Sequence, residues 1–192
     1  MKHLKHPFLG VLAALLLIAT FGASPASADD ICTTNTTPCS APITTFQSSA
    51  SGSSVLETLE GTTLATCASK NNKGTIKKIG SAIMIILSII DWFECTRTVT
   101  TLKTGSFEIN WTSGTQGSVV GRETEITVNG IFGTSCVYGT GAGTTMGTIS
   151  GTTLTFNAKV PRTASNFLCP SEARYTGVEK ITNHSAVFIH NS

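Results

Sequence analysis

Leu154-Thr155-Phe156-Asn157-Ala158-Lys159-Val160 alternates apolar and polar side chains without a break. A period of two is the strand period, so Leu154, Phe156, Ala158 and Val160 share one face, with Thr155, Asn157 and Lys159 on the other. Ser106-Phe107-Glu108-Ile109-Asn110-Trp111 repeats the pattern, with Phe107, Ile109 and Trp111 on one side. Threonine suits such segments because its branched Cβ packs well on a pleated surface.

Working outward, short runs of this kind recur about every ten residues with glycine-bearing turns between them, the spacing of an all-β domain. The expected strands are 62–68, 75–79, 82–93, 97–102, 106–111, 123–129, 134–138, 144–149, 152–159, 174–179 and 185–189. The fold class they predict is all-β: an antiparallel β-sandwich or flattened barrel.

Residues 82–93, Ala-Ile-Met-Ile-Ile-Leu-Ser-Ile-Ile-Asp-Trp-Phe, are apolar on both faces. A strand covered on both sides, a buried helix and a membrane-inserting segment compete for this run. Its isoleucine content favours the covered strand, and it is too short to cross a bilayer as a helix, which takes roughly 20 residues.

Composition supports the same class. Charged residues make up 12% of the 192-residue chain and apolar residues 40%, while 32 Thr and 20 Ser supply much of the polarity. This excludes a coiled coil, a collagen and a highly charged disordered chain.

The first residues read as an address. Lys2 and Lys5 precede an apolar run from Phe8 to Phe21, and Ala26-Ser27-Ala28 forms an A-x-A cleavage site, the layout of a secretory signal peptide over 1–28. No twin arginine is present, so export of the unfolded chain is expected. Removing Lys2 and Lys5 leaves 11 basic against 11 acidic residues. A neutral surface does not draw nucleic acid by counterion release, nor anionic lipid. Residues 29–60 are rich in Thr and Ser with few large apolar groups, and are expected to be a flexible segment ahead of a β-sandwich domain at 61–192.

All six cysteines, Cys32, Cys39, Cys67, Cys95, Cys136 and Cys169, follow the cleavage site. An even number in an exported chain reads as a disulfide framework. Six cysteines allow 15 pairings; the expected one joins neighbours, Cys32 to Cys39, Cys67 to Cys95 and Cys136 to Cys169. C-x-x-C spacing is absent, so a zinc site is not expected, and no other cofactor is implied.

Catalytic signatures are sparse. The mature chain has His184 and His190, both near its end, and no serine stands in G-x-S-x-G, so a nucleophilic triad is not expected. Tyr138-Gly-Thr-Gly-Ala-Gly-Thr144 lacks both the dinucleotide fingerprint and a Walker lysine, and reads as a glycine-rich turn. Glu123 and Glu125 would share one strand face, and Asp91 and Glu94 could cluster near a loop. Paired carboxylates can cleave glycosides, but a soluble outer face with Arg122 and Lys159 as partners is the preferred reading. Trp92, Trp111, Tyr138 and Tyr175 could stack sugars if exposed; core packing is preferred.

Several motifs carry a resemblance. Gly133-Thr-Ser-Cys136-Val-Tyr138-Gly139-Thr-Gly141, Gly147-Thr-Ile-Ser-Gly151, Phe167-Leu-Cys169-Pro170, Tyr175-Thr-Gly177 and Phe107-Glu-Ile-Asn-Trp111-Thr-Ser-Gly114 resemble a group of small exported actinobacterial proteins. The resemblance spans about residues 64–192. It implies a signal peptide and a β-sandwich, and no activity.

The expected function is therefore that of a secreted, disulfide-stabilised, non-enzymatic binding or surface-associated module. Its partner would be a cell-wall or extracellular glycan or a protein, with no nucleic acid and no stable membrane span in the mature chain. A small glycan hydrolase and a membrane-perturbing protein are the alternatives. An apolar-ligand carrier would need an internal cavity.

Overall fold

The alternating faces at 106–111 and 154–160 point into one closed ring: Phe107, Ile109, Leu154, Phe156, Ala158 and Val160 are all buried. The computed structural model describes residues 30–190 except 37, 81, 114 and 132, so the signal peptide expected at 1–28 lies outside the described residues. The described strands are β1 (Asp30–Cys32), β2 (Thr45–Ala50), β3 (Ser54–Glu57), β4 (Thr63–Ile79), β5 (Ala82–Cys95), β6 (Val99–Lys103), β7 (Ser106–Ser113), β8 (Gln116–Arg122), β9 (Glu125–Ile131), β10 (Thr134–Gly139), β11 (Thr144–Ser150), β12 (Thr153–Pro161), β13 (Glu172–Ile181) and β14 (Phe188–His190).

The ring runs β12-β11-β8-β7-β5-β4-β2-β13 and closes through a β12–β13 pairing, with every pair antiparallel. Of the two expected architectures, sandwich and barrel, it is therefore the barrel that forms. One position in its wall is shared. β2 pairs with Asn71–Thr75 of β4 and Glu179–Ile181 of β13, while β3 fills the same gap further along, against Thr63–Cys67 and Arg174–Thr176. A ring of about eight strands leaves an interior that side chains just fill, or that holds one small ligand.

Three expectations are corrected and one strand, β8, is added. The segment 29–60 is not a loose tail: β2 and β3 complete the wall, with Phe46 and Leu56 buried. Each offers one large apolar residue, alongside Ser48 and Ser54 on the same inward face, so their alternation is faint in the sequence. The expected strands 62–68 and 75–79 are one strand, β4, because the polar stretch 69–73 continues the ladder. β8 leaves no apolar period in the sequence because its inward face is Gly117, Val119 and Gly121, two of which carry no side chain. β5 is a strand but is not covered on both sides. Ile83, Ile85, Leu87 and Ile90 face inward, while Ile89 and Phe93 are exposed. A bulge at Ser88, where Lys73 faces Ile89 and Gly74 faces Leu87, switches the inward parity from odd to even positions.

Gly147 marks another irregularity, where β11 slips against β8 between Thr145 and Gly147. Its φ is +154°, and a Cβ there would lie 1.9 Å from the Thr155 carbonyl oxygen, so only glycine fits.

Both ends of the barrel are covered. At the end formed by the start of β4 and the end of β12, a three-stranded sheet, β10-β9-β6, packs Val99, Ile126 and Val128 beside Leu56, Ala65 and Trp92. At the other end the β1–β14 pair brings Ile31 and Val187 over Phe46, Ile85, Ile149 and Ile181. Two disulfides hold these covers: Cys32–Cys39 ties β1 to the following loop and Cys136–Cys169 ties β10 to the β12–β13 connection, while Cys67–Cys95 joins β4 to β5 within the wall. Three disulfides fit an oxidising, extracellular setting.

Candidate ligand-binding site in the barrel interior

Inward alternation carries polar residues into the barrel as well as apolar ones. Lys70 and Asn72 lie on β4, Ser48 on β2, Ser54 on β3, and Tyr175 and Glu179 on β13; all six are buried. Lys70 Nζ donates to Glu179 Oε1 at 2.9 Å and to the Tyr175 hydroxyl at 3.2 Å. The second carboxylate oxygen of Glu179 accepts from Ser48 Oγ at 2.6 Å and Asn72 Nδ2 at 2.5 Å. Tyr175 donates in turn to Ser54 Oγ at 3.4 Å. The cluster spans β2, β3, β4 and β13 across the shared wall position.

The Lys70 ammonium sits in an aromatic cage, 4.7 Å from the Trp92 ring centre, 5.2 Å from Tyr175 and 5.5 Å from Phe156. Such faces attract a cation. Burial alone would lower the Lys70 pKa, but the charge of Glu179, with Tyr175, more than offsets it and holds the amine above its ordinary value. Burial raises the Tyr175 phenol, against the opposing pull of Lys70. An ion pair of this kind, hydrogen-bonded on both carboxylate oxygens, meets the condition under which buried charges are tolerated.

Beside the cage lies a cavity of about 50 Å³ between the barrel and the three-stranded sheet. Its wall is mostly apolar, including Ile90, Trp92, Phe107, Ile126, Met146 and Val160, with Lys70, Thr124, Tyr138 and Thr140 as the side chains that carry polar atoms besides Trp92 and Tyr175. Tyr138 is completely buried, yet its hydroxyl has no hydrogen-bond partner. Burial pushes its pKa up to about 12, with Arg162 opposing.

The residues singled out for chemistry lie elsewhere. Glu123 is in the turn between β8 and β9 with φ +55°, so it does not alternate with Glu125 on a strand as expected. Glu125 pairs with Lys103 at 3.0 Å, and Arg122 pairs with Glu108 rather than with Glu123 or Glu125. Asp91 and Glu94 are exposed. Trp92, Tyr138 and Tyr175 face inward rather than forming a platform; Trp92 meets Tyr175 edge to face at 6.1 Å and donates Nε1–H to Thr101 Oγ1 at 3.1 Å. The Trp111 side chain lies outside the described residues. His184 contacts the Thr45 carbonyl oxygen at 3.2 Å and no carboxylate. Among the described residues no three His, Cys, Asp or Glu side chains gather into a metal site, and no helix is long and apolar enough to cross a membrane.

The chain matches no known protein-family model, no curated protein and no solved structure.

Lys70, Asn72 and Glu179 were not singled out from the sequence. A signal for Glu179 was present: Tyr175, Gly177, Glu179 and Ile181 share one parity, so an inward Tyr175 and Ile181 carry Glu179 inward with them. Lys70 had no such signal, because Ser69-Lys70-Asn71-Asn72-Lys73 is polar at every position.

Proposed function

We propose that this is an exported, non-enzymatic bacterial protein that binds a small, largely apolar ligand inside its barrel. The observation that carries the reading is the cavity between barrel and covering sheet, apolar over most of its wall. Pockets of mainly apolar lining with a few fixed polar groups are the usual form of small-molecule sites. One water needs roughly 10–15 Å³ of such space, so the cavity of about 50 Å³ suits a compact molecule of about three to five heavy atoms. The outward residues Thr155, Asn157 and Lys159 of β12 are exposed, which suits a barrel surrounded by water rather than lipid. Conversely, Glu57, Glu108, Glu125 and Glu179 each pair with a cation, which favours structural over hydrolytic roles for them.

The test is calorimetry and thermal unfolding of the oxidised, exported protein with a panel of small neutral hydrocarbons, ketones and ethers. A ligand at about 100 times its Kd raises stability by about 2.7 kcal/mol. A panel in which no member shifts the unfolding midpoint overturns the reading. A membrane-perturbing role draws support from exposed Ile79, Ile89 and Phe93 on the β4–β5 hairpin; failure to release dye from anionic or neutral liposomes removes it.

A further inference from the structure

The balance of 11 basic and 11 acidic residues hides a segregation of charge on the outer wall of the barrel, and from it we infer a docking face for an anionic lipid surface. The inference goes beyond the interior-binding reading and does not depend on it. Lys73, Thr75, Lys77 and Ile79 alternate outward along the second half of β4, and all four are exposed. The ladder sets Ile89 opposite Lys73, Ile86 opposite Thr75 and Met84 opposite Lys77 on β5. On the other side β2 places Gln47 beside Lys73, and β13 carries exposed Lys180 opposite Ser49 of β2. Glu179 has the opposite parity and is buried in the barrel, and Lys78 turns to Asp30 of β1 at 3.6 Å. From Lys180 to Ile89 the wall therefore presents three ammonium groups and, among the described residues, no outward carboxylate.

Lys73, Lys77 and Lys180 make no ion pair among the described residues, unlike Lys70, Lys78, Lys103, Arg122 and Arg174. The described carboxylates left without a cation are Glu60, Asp91, Glu94, Glu123 and Glu172. They stand on the last part of β5, at the start of β13 or in turns at the end covered by the three-stranded sheet. Charge is thus polarised along the barrel, which orients the molecule in the field of an anionic surface. Each lysine close to such a surface strengthens partitioning about fivefold. Charge alone would suit any polyanion; the apolar groups decide between them. Ile79, 57% exposed at the tip of the β4–β5 hairpin, and exposed Ile89 lie among these lysines. Apolar side chains gain from the boundary between headgroups and acyl chains, which a soluble polyanion does not offer.

The experiment is co-sedimentation of the oxidised protein with vesicles of mixed phosphatidylglycerol and phosphatidylcholine, set against vesicles of phosphatidylcholine alone. The expected result is adsorption to the anionic vesicles that declines as salt rises, and none to the neutral ones. Lys73→Gln/Lys77→Gln/Lys180→Gln is expected to lower partitioning about 100-fold, while Lys103→Gln, on the covering sheet, changes it far less. Ile79→Ser is expected to weaken it about tenfold with the salt dependence kept. Equal adsorption to neutral vesicles, adsorption to neither, or a loss with Lys103→Gln as large as with the triple variant overturns the inference. So does binding of soluble polyphosphate as tight as that of the anionic vesicles, with Ile79→Ser without effect on either, which assigns the face to polyanions at large. Lipid preference and salt dependence are read on the wild-type chain, so they decide the matter even where a variant fails to fold. Adsorption is separate from the dye release that tests perturbation, and interior binding stands or falls on its own calorimetry.

Discussion

Lys70 and Glu179 stand 109 residues apart in sequence and meet at 2.9 Å inside the barrel, both almost wholly removed from solvent. The pair is not an ornament on a hydrophobic core; it occupies the gap that β2 and β3 share between β4 and β13. Removing one partner strands the other charge in an apolar cage. Lys70→Met or Glu179→Gln is therefore expected to lower stability by about 3–5 kcal/mol in urea titrations. The double substitution Lys70→Met/Glu179→Leu should recover most of that loss, since a buried pair replaced by apolar groups is often neutral. Full additivity of the two single losses would contradict the coupling.

Alkaline conditions provide a second test. The native pKa of Tyr138 lies near 12, against about 10 for an unfolded tyrosine. Below pH 10 the phenol is neutral in both states and contributes no slope. Above it the unfolded chain loses the proton first, the native state binds more protons, and stability falls as pH rises, by about 2–3 kcal/mol up to pH 12. Tyr175 is shifted in the same direction. Lys70 also has a raised pKa, so its contribution is present below the unfolded lysine value and declines above it. Denaturation midpoints should stay level between pH 7 and 9 and drop beyond pH 10, with phenolate absorbance appearing together with unfolding. A decline already at pH 8, or phenolate formed in the folded protein at pH 10.5, would contradict this.

The disulfides should separate by what they hold. Cys136–Cys169 encloses 33 residues of separation and anchors the sheet that forms one wall of the cavity. Cys136→Ser/Cys169→Ser is expected to cost about 3–4 kcal/mol by the chain-entropy model and to weaken ligand binding. Cys32→Ser/Cys39→Ser opens a much shorter loop, with a separation of 7, at the opposite end of the barrel. It should cost about 2–3 kcal/mol and leave binding unchanged in calorimetry.

Gly147→Ala puts a Cβ against the Thr155 carbonyl at a backbone angle that other residues rarely adopt. A loss of about 2 kcal/mol or more is expected, measured as a lower unfolding midpoint. Gly141→Ala, with open space around its Cβ but φ +54°, should cost less, about 1 kcal/mol. Equal losses would place the penalty in backbone angle alone.

How far the sequence could be read follows from which residues mark each strand's inward face. β7 and β12 place Phe107, Ile109, Leu154 and Phe156 inward and are legible at once. β8 turns glycines inward and β2 and β3 turn serines inward, so the same geometry leaves no apolar period to detect. The candidate site inverts the usual rule: Val178 is exposed while its neighbour Glu179 is buried. Nothing local distinguishes such a glutamate from a solvated one, because its partner Lys70 is supplied by a distant strand.

The shared position of β2 and β3 has a consequence for assembly. These two segments lie within the first 57 residues, and the neighbour they must dock on, β13, spans Glu172–Ile181. The ring is a loop whose clasp joins the two halves of the chain from far ends, so closure demands contacts of very long sequence separation, the kind that form late and slowly. A chain whose β13 has not yet been added has no clasp, and until then the earlier strands form an open ribbon.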